Sequence, residues 1–322
     1  MRTLSLLLLA LAACPTFAAD ARFNGRWDIT SYTEPNNRAW WLEITGAETD
    51  RPKGKFVTAF AGDMNEIQEI AIAPGALRFG WLRTERPKPG DNTPPKTRHL
   101  VYKARIAGEK LEGTFEVEGE ARPPIRWVGV RAPVIRDKDD GSWKEGKPVR
   151  LFNGKDLSGW KTPDGRPLDG WSVKDGCLVT SGKSPNIISG PAFWNFKLHL
   201  EYKVAPHSNS GVGLRARYEV QIVDDYGRPP DTHSNGSLYS RIAPTQNASK
   251  PGGEWQTYDI RFIGRQVTVV LNDKTIINKG EVEGLTAIAV DPNESQPGPL
   301  YLQGDHGPVE FRNIVVTPLV KE

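Results

Sequence analysis

Arg215, Arg217, Glu219 and Gln221 alternate with apolar residues in NSGVGLRARYEVQIVDD (Asn209–Asp225), and FKLHLEYKV (Phe196–Val204) carries His199 and Glu201 in the same way. Successive side chains of an extended strand point to opposite faces. Val212, Leu214, Ala216, Tyr218, Val220 and Ile222 therefore face a core, as do Phe196, Leu198, Leu200, Tyr202 and Val204. If the two strands are neighbours on one concave sheet, His199, Glu201, Arg215, Glu219 and Gln221 converge on one surface. A carboxylate or imidazole beside a guanidinium and an amide can move a proton and hold the negative charge that develops. The plainer alternative is a solvated sheet face whose acids and bases pair across strands, contributing little per pair.

Other positions carry two readings each. Asn209, opening Asn209-Ser210-Gly211, can bind a hydroxyl at a cleft rim or make a strand-entry turn. Asp224 and Asp225 can hold a divalent cation at the strand end or form a solvated turn. This is the only cofactor the sequence offers. His306 in QGDHGP and His233 in GRPPDTHSNGS lie in loops, the second expected to be solvated. Trp255 in GEWQTYDI can stack on a sugar ring or fill a core. Cys177 reads as packing and Arg312-Asn313 as anchors of the last strand.

The elements that must position these residues are short and alternating, without long 3.6-period segments, which indicates an all-β protein. From Phe23 to Pro133 the segments RWDITSY, WWLEIT, KFVTAF, IQEIAIA, ALRFGWL, HLVYKARI, KLEGTFEVEG and RWVGVRAP are separated by turn formers. They suggest an antiparallel barrel or curled sheet, with Trp27, Trp41, Trp81 and Trp127 either in its core or around a ligand. Ile135–Val149 is charged and poor in branched apolar residues, as linkers are. From Leu151 onward, GWSVKDGCLVT, FKLHLEYKVA, GVGLRARYEVQIVDD, GSLYSRIA, EWQTYDIRFIG, QVTVVLND, KTIINKG and PLYLQGDHGPVEFRNIVVTPL imply a two-sheet sandwich with a concave face for a ligand. The expected organisation is a leader at 1–19, a barrel-like domain at 20–134, a linker at 135–149 and a sandwich at 150–320.

The chain has 322 residues and a net charge of +3. That charge is spread without a basic cluster, so there is no footprint for nucleic acid. MRTLSLLLLALAACPTFAAD has the layout of a secretory leader, too short in its apolar run for a membrane span. Leu11-Ala12-Ala13-Cys14 also fits a lipoprotein box, with Cys14 lipidated, whereas Thr16-Phe17-Ala18 offers an ordinary cleavage site. Export from a bacterial cytoplasm is expected, to the periplasm or as an outer-membrane lipoprotein. Cys177 is then the only remaining cysteine, and packing rather than a disulfide must stabilise the fold.

LFNGKDLSGW, WSVKDGCLV, LHLEYKV, NSGVGLRARYEVQIVDDYG, PGGEWQTYDIRF and LQGDHGPVEFRNI, in this order over Leu151–Leu319, resemble the signatures of the 3-keto-disaccharide hydrolase family. The resemblance implies a concanavalin-A-like jelly-roll acting on oxidised glycosides. A 3-ketone acidifies the C2 proton, so one base can remove it and the enolate can expel the aglycone from C1, with water added later. On this reading Glu219 or His199 is the base, Arg215 and Gln221 hold the enolate oxygen, His306 serves the leaving group and Glu201 orients His199. Asn209 and Trp255 bind sugar. Ordinary glycosidases need two carboxyl groups about 5 to 9.5 Å apart. Along the face of Glu219 the next acid is Asp225, about 20 Å away in an extended strand. Only Glu201, from another strand, could supply the second. A non-catalytic carbohydrate-binding protein is the principal alternative, since jelly-rolls also host lectins.

Overall fold

The computed structural model describes residues 20–33, 37–58, 62–84 and 94–321; the leader and Cys14 lie outside them. The first domain consists of β1 (Gly25–Ser31), β2 (Arg38–Thr45), β3 (Lys53–Val57), β4 (Met64–Glu66), β5 (Glu69–Ala73), β6 (Ala76–Thr84), β7 (Thr97–Ala107), β8 (Lys110–Val117) and β9 (Ile125–Arg131). They form one antiparallel sheet in the order β4-β3-β2-β1-β9-β8-β7-β6-β5. In a flat sheet β3 and β6 would stand roughly 29 Å apart. Yet Phe56 of β3 meets Phe79 of β6 edge to face, with ring centroids 5.1 Å apart. The sheet is therefore curled into a barrel-like shell. Trp27, Trp81 and Trp127 are buried inside it with Trp40, Tyr102 and Phe115, which decides these three tryptophans as core.

The second domain follows with β10 (Lys144–Glu145), β11 (Val149–Arg150), β12 (Trp160–Lys161), β13 (Trp171–Lys174), β14 (Cys177–Thr180), β15 (Ile187–Phe193), β16 (Phe196–Val204), β17 (Asn209–Leu214), β18 (Tyr218–Val223), β19 (Gln256–Ile263), β20 (Gln266–Leu271), β21 (Lys274–Glu281), β22 (Gly298–Leu302) and β23 (Val309–Val320). Two antiparallel sheets face each other. One runs β13-β14-β23-β16-β19-β20-β21, with β10 and β11 added on β23, and the other runs β12-β15-β22-β17-β18. Leu198, Leu200, Phe262, Phe311 and Val316 of the first sheet pack on Val212, Leu214, Val220, Leu300 and Leu302 of the second. This is the jelly-roll sandwich, and the alternation in Phe196–Val204 matches the observed burial residue by residue. GSLYSRIA forms turns and isolated bridges instead of a strand, and Ile187–Phe193, interrupted by Gly190 and Pro191, pairs with β22 through a register shift.

Residues 135–149 are fastened to the second domain rather than loose. Asp137 accepts from Trp194 and Asn195, Arg261 holds Asp139 at 2.8 Å, and β10 and β11 pair with β23. The barrel docks through β2, which is buried on both faces: Trp40 and Leu42 point into the shell, whereas Ala39 and Trp41, with Val57 of β3, join the core of the sandwich. Trp41 lies so close to Gly284 that a Cβ there would sit 2.0 Å from the indole nitrogen, and Arg241 stacks on its ring at 4.3 Å. No helix among the described residues is long and apolar enough to cross a membrane.

Candidate active site

The stretch around Glu219 is two strands and not one. Leu214 accepts a hydrogen bond from the Arg217 N–H, and Arg215 and Ala216 between them both have φ of 53°. Two consecutive left-handed residues make the tight turn that matches the twist of a hairpin. The chain folds back so that Gly213 stands opposite Glu219 and Gly211 opposite Gln221. The apolar positions still face the core, because the turn preserves their parity. On the other face the glycines leave β17 bare beneath the Glu219 carboxyl: a Cβ at Gly211 would lie 2.4 Å from its Oε1.

Above this face lies a cavity of about 1300 Å³. Glu219, Gln221 and Asn209 line it together with Tyr301 and Gln303, from β22 and the residue after it; Tyr239 and the loop pair Asp305 and His306 also border it. Glu219 is only 3 % exposed. Burial pushes its pKa up to about 8; the nearby His306 lowers it and Asp305 raises it, and no hydrogen bond or ion pair holds the carboxylate among the described residues. Nδ1 of His306 meets Asp305 at 2.7 Å, and that contact raises the histidine pKa against partial burial, with a further rise from Glu219. Asn209 borders the cavity, and its Oδ1 is buried without a partner among the described residues. The backbone of Glu219 is fixed by Thr286, whose hydroxyl accepts its N–H at 3.0 Å.

The expected convergence fails for His199, Glu201 and Arg215, and Trp255 also lies away from the site. His199 and Glu201 stand on the outer face of the opposite sheet, since β16 belongs to the β19–β23 sheet while Glu219 belongs to β18. There the pairing alternative holds: His199 meets Asp259 at 2.8 Å and Glu201 is bound by Arg312 and Asn313, which keep its pKa below the usual value despite partial desolvation. Trp255 lies on that side too, stacked under Arg312 at 3.9 Å and outside the cavity. Arg215 is fully buried in the turn, bonded to the Trp194 carbonyl and Asn195 and stacked on Trp194, so it faces no ligand.

Asp224 and Asp225 do not form a cation cage. Asp224 accepts the backbone N–H groups of His207 and Gly252, and Asp225 accepts from the Asn235 N–H and the Ser249 hydroxyl. These carboxylates staple loops. No group of three or more His, Cys, Asp or Glu residues placed to hold a metal occurs among the described residues. The sequence reading missed Asp305, although it adjoins His306, and also Tyr239, Tyr301 and the residues the first domain contributes.

The comparison with known families turns on the same domain. Residues 147–317 match a family described as a 3-keto-alpha-glucoside-1,2-lyase-like domain. The chain belongs to this family. A relative named 3-keto-disaccharide hydrolase, from Bacteroides thetaiotaomicron, is 24 % identical over 165 residues, covering 40 % of this chain and 57 % of that protein. The match thus spans less than two thirds of the relative. Among solved structures, a candidate glycosyl hydrolase of Parabacteroides distasonis is 28 % identical, with a TM-score of 0.48 over 62 % of this chain and 94 % of its own. A second from the same organism is 23 % identical, with a TM-score of 0.46 over 54 % and 94 %. For this family member the site on β17, β18 and β22 is the part of the domain where a buried carboxyl meets open volume.

Proposed function

We propose that the protein cleaves the glycosidic bond of 3-keto-glycosides by base-assisted elimination, followed by hydration. The observation that carries this reading is Glu219, a buried carboxyl with no ion pair among the described residues, on the lining of a cavity of about 1300 Å³ in a member of this family. A carboxylate in such surroundings is a stronger base than one in water. Glu219 takes the C2 proton of the bound ketone, the electron pair forms the C1–C2 double bond, and the C1–O bond breaks. The amides of Gln221 and Asn209 are placed on the lining to hold ketone and hydroxyl oxygens. His306, whose pKa is raised by its contact with Asp305, gives a proton to the departing oxygen. Water then adds across the double bond.

A lectin has no use for a carboxyl displaced to about 8, which favours catalysis over binding alone. The substrate on this reading is an oligosaccharide or glycoside. The leader at residues 1–19 belongs to the same proposal: export would bring the site to sugars outside the cytoplasm, and the N-terminus of the mature protein would begin near residue 20.

Incubation of purified protein with a 3-keto-disaccharide beside its unoxidised parent tests the reaction. Only the oxidised compound should release its aglycone, and Glu219→Gln should lower kcat by about 10²–10⁴ with no loss of melting temperature. Equal turnover of both sugars, or full activity in Glu219→Gln, would remove this mechanism.

A further inference from the structure

The sandwich alone does not enclose the cavity. Thr33, Asn37, Arg38, Arg122 and Ile125 of the barrel form part of its wall. These residues are held in place by a docking contact that is itself buried, through Trp41 against Gly284 and Arg241. Arg38, at the first position of β2, is exposed and has no ion-pair partner among the described residues, whereas Arg122 lies 3.4 Å from Glu120. Arg38 is close enough to Tyr301 for its charge to act on that hydroxyl, and Tyr301 in turn feels Glu219. The three residues thus run from the barrel wall to the reacting carboxyl.

Two further features bear on what occupies this side. The cavity, at about 1300 Å³, exceeds the roughly 300–1,000 Å³ of pockets built for one small ligand. Its barrel wall is polar apart from Gly62 and Ile125, with no aromatic ring among the described residues to stack on a flat group. A guanidinium with free N–H groups suits a hydroxyl-rich ligand.

From this arrangement we infer that the first domain supplies the subsite for the aglycone, that Arg38 is its specificity-determining residue, and that the aglycone is a sugar rather than an aromatic group. The inference rests on the reaction proposed above, and its test separates the two. With the intact protein, kcat/KM is measured for a 3-keto-disaccharide and for methyl 3-keto-glucoside, whose aglycone is too small to reach the barrel. The ratio of the two should fall about tenfold in Arg38→Ala, mainly through KM, and recover in part in Arg38→Lys. In parallel, calorimetry follows binding of the unoxidised disaccharide, whose dissociation constant should rise by a similar factor. A ratio within about twofold of wild type, or an unchanged dissociation constant, overturns the subsite. If wild type turns over neither ketone, the proposed reaction fails while calorimetry still decides the subsite, and undetectable disaccharide binding counts against it. Should Arg38→Ala not fold, Asn37→Ala is read in the same way.

Discussion

Glu219 combines three conditions that rarely coincide in one carboxyl: almost complete burial, open volume above it and no cation paired with it among the described residues. Burial penalises the charged form, so the proton is held to about pH 8, and the ionised form gains basicity to the same degree. If Glu219 is the base and His306 the acid, kcat/KM against pH is bell-shaped, with Glu219 near 8 as one limb, and in His306→Ala, which removes the acid, the residual kcat/KM rises with pH and levels off above about 8. A decline through the same range in His306→Ala would mean that the protonated carboxyl is the active form, and the base would have to be found elsewhere. The profile of the oxidised disaccharide, measured from pH 5 to 10, distinguishes the two. Arg215 shows the opposite outcome for a charged group. As an oxyanion partner it is attractive in the sequence, but its Nε and Nη2 bond Trp194 and Asn195 inside the domain, and Nη1 is buried there too, away from the cavity.

The hairpin of β17 and β18 is the element on which the site depends. Its glycines give the carboxyl room: alanine at Gly211 would place a methyl 2.4 Å from Oε1 of Glu219, and the end of a flexible side chain is what must yield. Gly211→Ala should therefore reduce kcat at least about tenfold while shifting the melting temperature by only a few degrees, because no backbone collides with the new methyl. A variant with unchanged kcat would show that the position of the carboxyl on this strand does not matter. The hairpin itself was not legible. Arg215-Ala216 carries none of the Gly or Asn that usually marks two left-handed residues, and the strand alternation continues through it. The Arg215 side chain is stacked on Trp194 and Phe262 and bonded to the Trp194 carbonyl, contacts that hold the turn in its strained backbone conformation.

Across the whole molecule the two domains meet over a buried acid pair. Asp28 of β1, 1 % exposed, faces Glu294 of the second domain, which is itself gripped by both terminal guanidinium nitrogens of Arg265 at 2.7 Å and by the Tyr218 hydroxyl at 2.8 Å. Desolvation first, and then the neighbouring Glu294 charge, push the Asp28 pKa up to about 9. An unfolded aspartate ionises near 3.9. Between these values the folded protein binds the extra proton, so stability falls as pH rises from about 4 to about 9 and is undiminished below that window. Asp28→Asn keeps a donor toward Glu294 without the titration, and its denaturation free energy should depend less steeply on pH across that range. An unaltered slope would show that Asp28 is not protonated in the docked state. Tyr218 precedes Glu219, so this network also anchors the strand that carries the proposed base.

Much of the architecture could be read from the chain alone, because burial on one face of a strand imposes a period of two that no long-range contact is needed to reveal. The eight segments read in the barrel, the sandwich and the inward set of Phe196–Val204 follow from that period, and the ordered motifs from Leu151 to Leu319 pointed to the family. Glu219, Gln221, Asn209 and His306 were likewise legible, as polar residues on strand faces or beside a cleft. Which sheet each strand joins is a different matter: His199 and Glu219 look alike in sequence, yet one lies on the exterior of one sheet and the other in the hollow of its partner. Only the tertiary structure decided that, and only it placed Arg38 of the barrel beside a cavity in the sandwich. Alternation fixes on which side of its own strand a residue lies, while the packing of distant segments determines what covers that side.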